Sequence, residues 1–411
     1  MQEQPQLPAW PGPGLTRVPY EVYRDPALYE AEQERLFRGP AWHFLCMEAE
    51  LPEPASWRTT HVGETPVIVS RDGRGRLHAF ENRCAHRGAL ICLGEGGRGR
   101  RIQCVYHAWN YDLEGNLRGV AFEGGIDGAG GMPEGFDKAR HGPRKLRVAA
   151  WCGLVFGTFS LDVPGLEDWL GPEIRARLAR VLSKPVRLLG RHRQMLPNNW
   201  KLYVENVKDT YHASLLHSFF TTFRLNRLSQ EGGVEVAGSG GHHVSWSRML
   251  TDRASDDYEK GGLRSHKEDF ALADPRLIRG RDEFGDGVSL QMVTVFPTFV
   301  SQQQQNALAI RHVVPKGVDR TELLWTCYGF EDDDPELAEL RLLQANLVGP
   351  AGFISMEDGA VGGFVRRGVA GAAGLAGVVE MGGAGTESQR GRATETSVRG
   401  FWKAWRAVMG L

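Results

Sequence analysis

The chain has 411 residues, enough for two or three domains with buried cores. Its formal net charge is -1, so no basic field favours nucleic acid or an anionic membrane surface. No apolar run approaches the ~18 residues that span a bilayer, and the first residues lack the basic-then-apolar pattern of a signal peptide. Of the six cysteines, four are scattered without a framework spacing, so we expect these four to be free thiols in a cytoplasmic protein that binds neither nucleic acid nor membranes.

Blocks of helical and strand patterning follow one another in the first half of the chain. Residues 1–14 are rich in proline and predict an extended arm, and Asp25-Pro26 has the pattern of a helix N-terminus that leads to a helix ending near Gly39. Between residues 42 and 160, short β-like runs alternate with glycine-rich turns. Helical patterning returns at residues 166–182.

The second half begins with a strand-rich stretch from about residue 234 to residue 330. Asp334-Pro335 then opens a helix whose leucines recur at helical spacing, namely Leu337, Leu340, Leu343 and Leu347. Residues 359–391 are rich in glycine and alanine and predict mostly loop, and residues 394–396 begin a last helix. We therefore expect an α+β protein in which a β-rich domain, residues 42–160, is inserted into a larger domain formed by residues 1–41 and 161–411.

Two short Cys-His clips lie inside the β-rich block. Cys84 is two residues before His86, and Cys104 is three residues before His107. One thiolate and one imidazole from each loop are the ligands of a Rieske [2Fe–2S] centre, in which two His replace two Cys on one iron. The alternative is a structural Cys₂His₂ zinc site, although zinc modules more often pair Cys with Cys and His with His.

A second group of polar residues stands at 205–217, where His212 and His217 are five positions apart. In a regular helix this spacing separates the two side chains by roughly 140° around the axis. They would share a metal only if the helix ends or bends between them. Asp209, three positions before His212, suits an outer carboxylate that holds the imidazole. Two His with one distant carboxylate would form the facial triad of a non-haem Fe(II) oxygenase, whereas the alternative is ordinary core or surface residues.

Three motifs, in this order, resemble those of one family. They are Cys-x-His-Arg-Gly at 84–88, Cys-x-x-His at 104–107 and Glu-Asn-x-x-Asp-x-Tyr-His-x-x-x-x-His at 205–217. The chain resembles the large (α) subunit of the Rieske non-haem iron ring-hydroxylating oxygenases. The resemblance implies a third iron ligand more than a hundred residues after His217. Asp358 is the best match for it, and Glu357 is the rival.

The resemblance also implies a fold, cofactors and partners. The larger domain should contain a large antiparallel sheet covered by helices, of the helix-grip type. A [2Fe–2S] cluster and Fe(II) would be the cofactors, with O₂ and, through a reductase, NAD(P)H as co-substrates. In a head-to-tail trimer, Asp209 would link His107 of one subunit to His212 of the next. A smaller β subunit in an α₃β₃ assembly is expected.

The expected substrate is an aromatic carboxylate that undergoes cis-dihydroxylation. Residues 197–230, 349–383 and 391–402 resemble most the family members that act on terephthalate, which implies that Arg311, Arg392 and Ser245 hold carboxylates. From its own pattern, an Arg among small apolar residues on a strand, Arg311 is as easily a structural residue. Alternatives are anthranilate, 2-halobenzoate, salicylate or another phthalate isomer. A pure Rieske electron carrier is a remote alternative, since such a carrier would end near residue 160.

Overall fold

The computed structural model describes residues 10–12, 14–249, 262, 267 and 269–411. Most of the proline-rich arm predicted at 1–14, and part of the strand-rich stretch predicted at 234–330, lie outside these residues. The chain divides into two compact units, of which one is Phe37–Leu166 and the other combines the residues up to Leu36 with Glu167–Leu411. Within the described ranges, no helix is both long enough and apolar enough to cross a membrane.

The unit Phe37–Leu166 is built almost entirely of strands. Its strands are β2 (His43–Met47), β3 (Ser56–Val62), β4 (Thr65–Arg71), β5 (Leu77–Glu81), β6 (Gly96–Arg98), β7 (Arg101–Gln103), β8 (Asn110–Asp112), β9 (Leu117–Gly119), β10 (Lys145–Trp151) and β11 (Leu154–Thr158). A seven-stranded sheet has the order β2-β11-β10-β5-β4-β3-β6, and a smaller sheet has the order β7-β8-β9. The two Cys-His clips lie in the loop after β5 and in the loop between β7 and β8.

The larger unit has one seven-stranded sheet at its centre. Its strands are β12 (Val186–Leu196), β13 (Gly232–Ala237), β14 (His242–Arg248), β15 (Val288–Val295), β16 (Phe299–Gln304), β17 (Ala307–Pro315) and β18 (Thr321–Phe330), while β1 (Arg17–Pro19) pairs separately with β19 (Ala376–Val378). The sheet order is β12-β18-β17-β16-β15-β14-β13, with every neighbouring pair antiparallel.

Helices accompany this sheet, as the α+β prediction requires. They are α1 (Pro26–Glu32), α2 (Leu166–Val181), α3 (Trp200–Lys208), α4 (Ala213–Leu216), α5 (Ser218–Thr222), α6 (Pro335–Val348), α7 (Phe353–Gly368) and α8 (Thr396–Met409). Every residue of β16 and β17 is buried, which indicates that both faces of the sheet are covered. The Phe401, Trp402 and Trp405 rings of α8 are completely buried.

Helix boundaries follow the local signals at most positions. Asp25 and Asp334 cap α1 and α6 as predicted, the latter by accepting a hydrogen bond from the Leu337 amide at 2.8 Å. The leucine pattern of α6 is less regular than predicted, because Leu340 and Leu343 are only partly buried and the buried face carries Arg341 instead.

The prediction that residues 359–391 are mostly loop is wrong at its start, since α7 continues to Gly368. The glycines in this stretch permit close packing. A Cβ on Gly359 would lie 3.0 Å from the side chains of Gln194 and Leu196, and one on Gly362 would collide with Asn198. Helix α7 therefore lies directly against the end of β12, and it holds Asp358 there.

Candidate metal sites and substrate pocket

The two Cys-His loops have the same backbone hydrogen bonds. The amide of each Cys donates to the carbonyl five residues later, from Cys84 to Ala89 at 2.8 Å and from Cys104 to Trp109 at 2.9 Å. The carbonyl of each Cys accepts from the amide four residues later, in Gly88 and Ala108. Both of these residues have positive φ, 72° and 54°, so each loop closes through a left-handed residue. Two loops with the same backbone structure are suited to hold one cluster between them, each loop from one side.

The four clip side chains come together between these loops. The imidazole rings of His86 and His107 have centroids 4.5 Å apart, and the thiols of Cys84 and Cys104 are buried and interact with each other. Burial is the main reason that the pKa of the Cys84 thiol is raised. The Nδ1 atom of His107 is buried and has no hydrogen-bond partner among the described residues. Two thiols, two imidazoles and this unpartnered nitrogen fit the ligand set of a Rieske cluster.

Aromatic residues of β8 and its preceding loop surround the clips. Trp109 stacks on the His86 ring at 4.9 Å between centroids. The hydroxyl of Tyr111 accepts a hydrogen bond from the Ala85 amide at 3.1 Å and lies 3.2 Å from the Cys84 sulfur. Because the amide occupies an oxygen lone pair, the hydroxyl proton of Tyr111 is available to the sulfur.

The helical segment around residue 210 is interrupted twice, which brings His212 and His217 to the same place. Helix α3 ends at Lys208, and the Asp209 carboxylate accepts a hydrogen bond from the Tyr211 amide at 2.7 Å, forming an Asx turn. His212 precedes α4, and His217 has an extended conformation between α4 and α5. The two rings lie 5.4 Å apart, as a shared metal requires.

Asp358 of α7 completes this group. Its Oδ1 atom lies 3.5 Å from Nε2 of His212 and 3.3 Å from Nε2 of His217. One ligand atom from each of the three residues falls within 4.8 Å of the others. Asn206 donates a hydrogen bond to the same carboxylate oxygen at 3.2 Å. Two imidazole nitrogens facing one carboxylate form a facial two-His-one-carboxylate set.

The electrostatics of these three residues favour a cation. Burial alone would raise the pKa of Asp358, but the facing imidazoles of His217 and His212 lower it far below its usual range. Burial would lower the pKa of His212, but the carboxylates of Asp209 and Asp358 raise it to about 10. A positive charge is therefore stabilised between these groups, and the donor atoms suit Fe(II).

Each of the two His residues also contacts a second carboxylate through Nδ1. Nδ1 of His212 lies 3.2 Å from Oδ2 of Asp209, in an ion-pair contact that is not aligned as a hydrogen bond. Nδ1 of His217 makes an aligned hydrogen bond of 2.7 Å with Oε2 of Glu357. Glu357 thus contacts the side of the His217 ring away from Asp358.

A pocket opens beside this triad and encloses about 570 Å³ of space, partly open to solvent. The triad, the sheet, α3, α5 and the segment before α8 all contribute side chains to its lining. The lining residues are Asn206, Val207, Asp209, Thr210, His212, Ala213, His217, Phe220, Asn226, Ser245, Leu290, Met292, Gln302, Gln304, Arg311, Ile354, Asp358 and Arg392.

The three residues predicted to hold carboxylates all line this pocket. Arg311 is 3% exposed and Ser245 is also 3% exposed. Arg311 donates to the Tyr203 hydroxyl at 2.8 Å and to the Gln302 side-chain carbonyl, and it lies over the Trp325 ring at 4.2 Å. Arg392 donates to the Asn226 side-chain carbonyl at 2.5 Å and to the Arg227 carbonyl.

The partners of Arg311 are unusual for a buried arginine, because they are neutral. Its Nε atom has no hydrogen-bond partner, and no acidic side chain pairs with it within the part of the chain that the structure describes. A buried guanidinium that neutral groups hold in place is ready to pair with an anion that enters the pocket.

Sequence patterns alone did not identify several residues of the site. Asn206 is part of the 205–217 motif, but the motif does not indicate that its side chain contacts Asp358. Tyr203 and Gln302 hold Arg311 from α3 and β16. These contacts join elements that are distant in sequence, so local spacing carries no signal for them.

A third group of possible ligands lies in the β-rich unit and consists of Asp72, His78 and Glu114. Arg76 already pairs with it, at 2.8 Å from Asp72 and 3.0 Å from Glu114. The Asp72 carboxylate also accepts from the amides of Arg74 and Arg76. Asp72 and His78 belong to the β4–β5 hairpin and Glu114 to the turn between β8 and β9, so the positive charge of Arg76 joins the carboxylates of two hairpins.

Comparison with known families identifies the class of protein. Residues 41–126 match the Rieske [2Fe-2S] domain, and residues 176–411 match the ring hydroxylating alpha subunit (catalytic domain). The chain belongs to the family of ring-hydroxylating oxygenase alpha subunits, which confirms the resemblance drawn from the motifs. The family uses a Rieske cluster and Fe(II) with O₂, and it takes electrons from NAD(P)H through a reductase.

Individual relatives agree with this assignment. The chain is 59% identical over 407 residues to the terephthalate 1,2-dioxygenase terminal oxygenase component subunit alpha 2 of Comamonas sp, covering 99% of this chain and 98% of that protein. It is 44% identical to the anthranilate 1,2-dioxygenase large subunit of Burkholderia cepacia, covering 96% and 94%. The structure of naphthalene 1,2-dioxygenase from Rhodococcus sp. has the same fold, with a TM-score of 0.79, 23% identity and coverage of 96% and 94%.

Proposed function

We propose that this chain is the catalytic α subunit of a dioxygenase that converts terephthalate to its 1,2-cis-dihydrodiol. The observation that carries the proposal is the pair of buried guanidinium groups, Arg311 and Arg392, on the wall of the pocket that the His212, His217 and Asp358 side chains also line. The relative from Comamonas sp, 59% identical, supports the same substrate.

Terephthalate is a flat dianion with carboxylates at opposite ends of a ring. Arg311 and Arg392 lie on different elements, β17 and the segment before α8, so each is suited to one carboxylate. Ser245 of β14 adds a hydroxyl donor. Leu290, Met292 and Ile354 supply apolar surface for the ring. A monocarboxylate can contact only one of these two arginines at a time, whereas the two carboxylates of terephthalate can contact both, which makes a dicarboxylate the better match.

We assign the metal ligands as follows from the geometry above. Cys84 and Cys104 would hold one iron of the cluster, and His86 and His107 would hold the other. His212, His217 and Asp358 would hold the mononuclear Fe(II). When bound, the iron supplies O₂ activation beside the ring. The chain's own residues hold the substrate by its carboxylates, orient the ring and exclude water. The balanced reaction consumes the arene, O₂, two electrons and two protons.

Asp209 is proposed to connect the two metal sites of neighbouring subunits. Its carboxylate contacts Nδ1 of His212, and its side chain is 24% exposed. A second imidazole, from His107 of a neighbouring subunit in a head-to-tail trimer, would find the remaining acceptor positions of this carboxylate. As further parts of this proposal, the protein is cytoplasmic and a smaller β subunit completes an α₃β₃ assembly.

Product analysis tests the proposed substrate. Purified protein with its reductase, NAD(P)H and O₂ is given terephthalate, isophthalate, phthalate, benzoate, anthranilate or salicylate. We expect O₂ uptake and a dihydrodiol with terephthalate, and little product with the monocarboxylates. Preferred turnover of anthranilate or benzoate would overturn the dicarboxylate assignment and leave the family assignment intact.

Removing Arg311 should weaken terephthalate binding. A hydrogen bond to a charged group contributes ~1.5–3 kcal/mol, so we expect Arg311→Ala to raise the Kd by about 10- to 150-fold. Arg311→Lys retains the charge and should lose less, although it loses the forked geometry. Isothermal titration with terephthalate and with benzoate measures the change. An unchanged Kd for terephthalate in Arg311→Ala would contradict the proposed carboxylate contact.

The Tyr111 hydroxyl should tune the Rieske cluster. Its hydrogen bond to the Cys84 sulfur stabilises the more negative reduced state, so Tyr111→Phe should lower the reduction potential by tens of millivolts. Protein-film voltammetry measures this potential, and the visible spectrum of the cluster checks that it is retained. His78→Phe, in the same unit but paired with Asp72, serves as a control. A potential equal to that of wild type would show that Tyr111 has no effect on the sulfur.

A further inference from the structure

We propose that Glu357 is a positioning residue that fixes the imidazole of His217 for iron binding, without being an iron ligand itself. The inference rests on the iron ligands assigned above. Glu357 was the alternative to Asp358 as the third iron ligand, and the two adjacent acids of α7 would then have different roles.

The two nitrogens of the His217 ring face different carboxylates. Nδ1 lies 2.7 Å from Oε2 of Glu357, and Nε2 lies 3.3 Å from Oδ1 of Asp358. A neutral imidazole carries one N–H, so a carboxylate at Nδ1 places the proton there and leaves the Nε2 lone pair directed toward Asp358. That tautomer is the one that binds a metal through Nε2.

Helix geometry explains how neighbouring acids reach opposite sides of one ring. Successive residues of an α-helix are about 100° apart around the axis, so Glu357 and Asp358 point in different directions from α7. Asp358 is buried, whereas the Glu357 side chain is 24% exposed. One turn of α7 therefore supplies both a ligand and the support of a second ligand.

The two His residues of the site differ in this support. Nδ1 of His212 lies 3.2 Å from the Asp209 carboxylate without hydrogen-bond alignment, and Asp209 lies in the turn after α3. His217 meets Glu357 in a short aligned hydrogen bond from within a regular helix. Of the two outer carboxylates, Glu357 is the better placed to determine ring orientation and metal affinity.

Metal affinity tests the inference in the full-length protein with its cluster intact. The variants are Glu357→Ala, Glu357→Gln and His217→Ala, with Met356→Ala as the matched control because Met356 is a half-exposed neighbour on the same helix. The readouts are the ratio of iron to acid-labile sulfide, and the Kd for Fe(II) or Co(II) at the mononuclear site by chelator competition. The visible spectrum of the cluster verifies that the β-rich unit is unaffected.

We expect Glu357→Ala to weaken metal binding by about 10- to 100-fold, the usual effect of losing an outer partner of a ligating His. Glu357→Gln should retain most of the affinity, since its carbonyl accepts from the same Nδ1–H. Met356→Ala should equal wild type. Unchanged affinity in Glu357→Ala, with metal lost in His217→Ala, would overturn the inference alone. Metal retained in both would overturn the ligand assignment together with the inference.

Discussion

Replacing Asp358 with alanine is expected to abolish product formation while the Rieske cluster remains intact and reducible. Both imidazole Nε2 atoms face the Asp358 carboxylate, at 3.5 Å for His212 and 3.3 Å for His217. Without it, two neutral ligands remain and the site loses the negative charge that stabilises a cation. Since a bound metal contributes several kcal/mol to transition-state stabilisation, turnover should fall by about 1000-fold or more.

The measurement combines product formation from terephthalate with the iron-to-sulfide ratio and the spectrum of the reduced cluster. Glu336→Ala, an exposed acid on α6, is the control for loss of a carboxylate in the same unit and should behave as wild type. A fully active Asp358→Ala variant that retains the mononuclear iron would show that another carboxylate, with Glu357 first in line, is the ligand.

Much of this site could be predicted because the motifs are local. Cys84 and His86, or Cys104 and His107, stand two or three residues apart, and one tight loop suffices to direct both side chains to a cluster. The condition for His212 and His217 to share a metal, a break in the helix between them, also followed from their five-residue spacing. The structure has that break where α4 ends at Leu216 and His217 becomes extended, and an earlier break at Asp209 separates α3 from α4.

The assignment between Glu357 and Asp358 could not be derived from spacing. Both acids lie on α7, more than a hundred residues from the imidazoles, and which one faces Nε2 depends on the rotation of that helix. The rotation is determined by packing, in which Gly359 and Gly362 allow α7 to approach Gln194 and Asn198. The same glycines led to the prediction of a loop, because glycine has a low helix propensity. The close packing that these glycines allow cannot be read from the sequence.

Whether Arg311 is a structural residue or an anion-binding residue likewise depends on contacts with residues that are distant in sequence. Its pattern, an arginine among small apolar residues on a strand, allowed a structural role as readily as a binding role. In the structure, Tyr203 from α3 and Gln302 from β16 hold its guanidinium, both without charge. A structural arginine of comparable burial, Arg341, instead pairs with Glu283 and Asp333. That contrast in partners, which no local pattern predicts, is what favours an anion as the missing partner of Arg311.

Replacing Asp209 should separate electron delivery from iron binding. Asp209→Asn keeps the side-chain oxygen that accepts from the Tyr211 amide at 2.7 Å, so the turn before α4 should persist. The amide carries no charge, and once its oxygen accepts from Tyr211 its NH₂ group replaces the carboxylate oxygen that faces His212, so that position cannot accept from an imidazole N–H. Losing the proposed charge-assisted hydrogen bond to His107 of the neighbouring subunit, ~1.5–3 kcal/mol, together with the ion-pair contact to His212, should slow transfer between cluster and iron by about 100-fold.

Single-turnover kinetics distinguish this effect from loss of iron. The cluster is reduced in the absence of O₂, and its reoxidation is followed after substrate and O₂ are added together. In Asp209→Asn, reduction by the reductase and the iron-to-sulfide ratio should equal wild type, while reoxidation coupled to product slows. Glu357→Ala should give the opposite result, with low iron content and normal reduction of the cluster. Wild-type reoxidation in Asp209→Asn would show that electrons reach the iron by another route, and the trimeric arrangement would then have no support from this carboxylate.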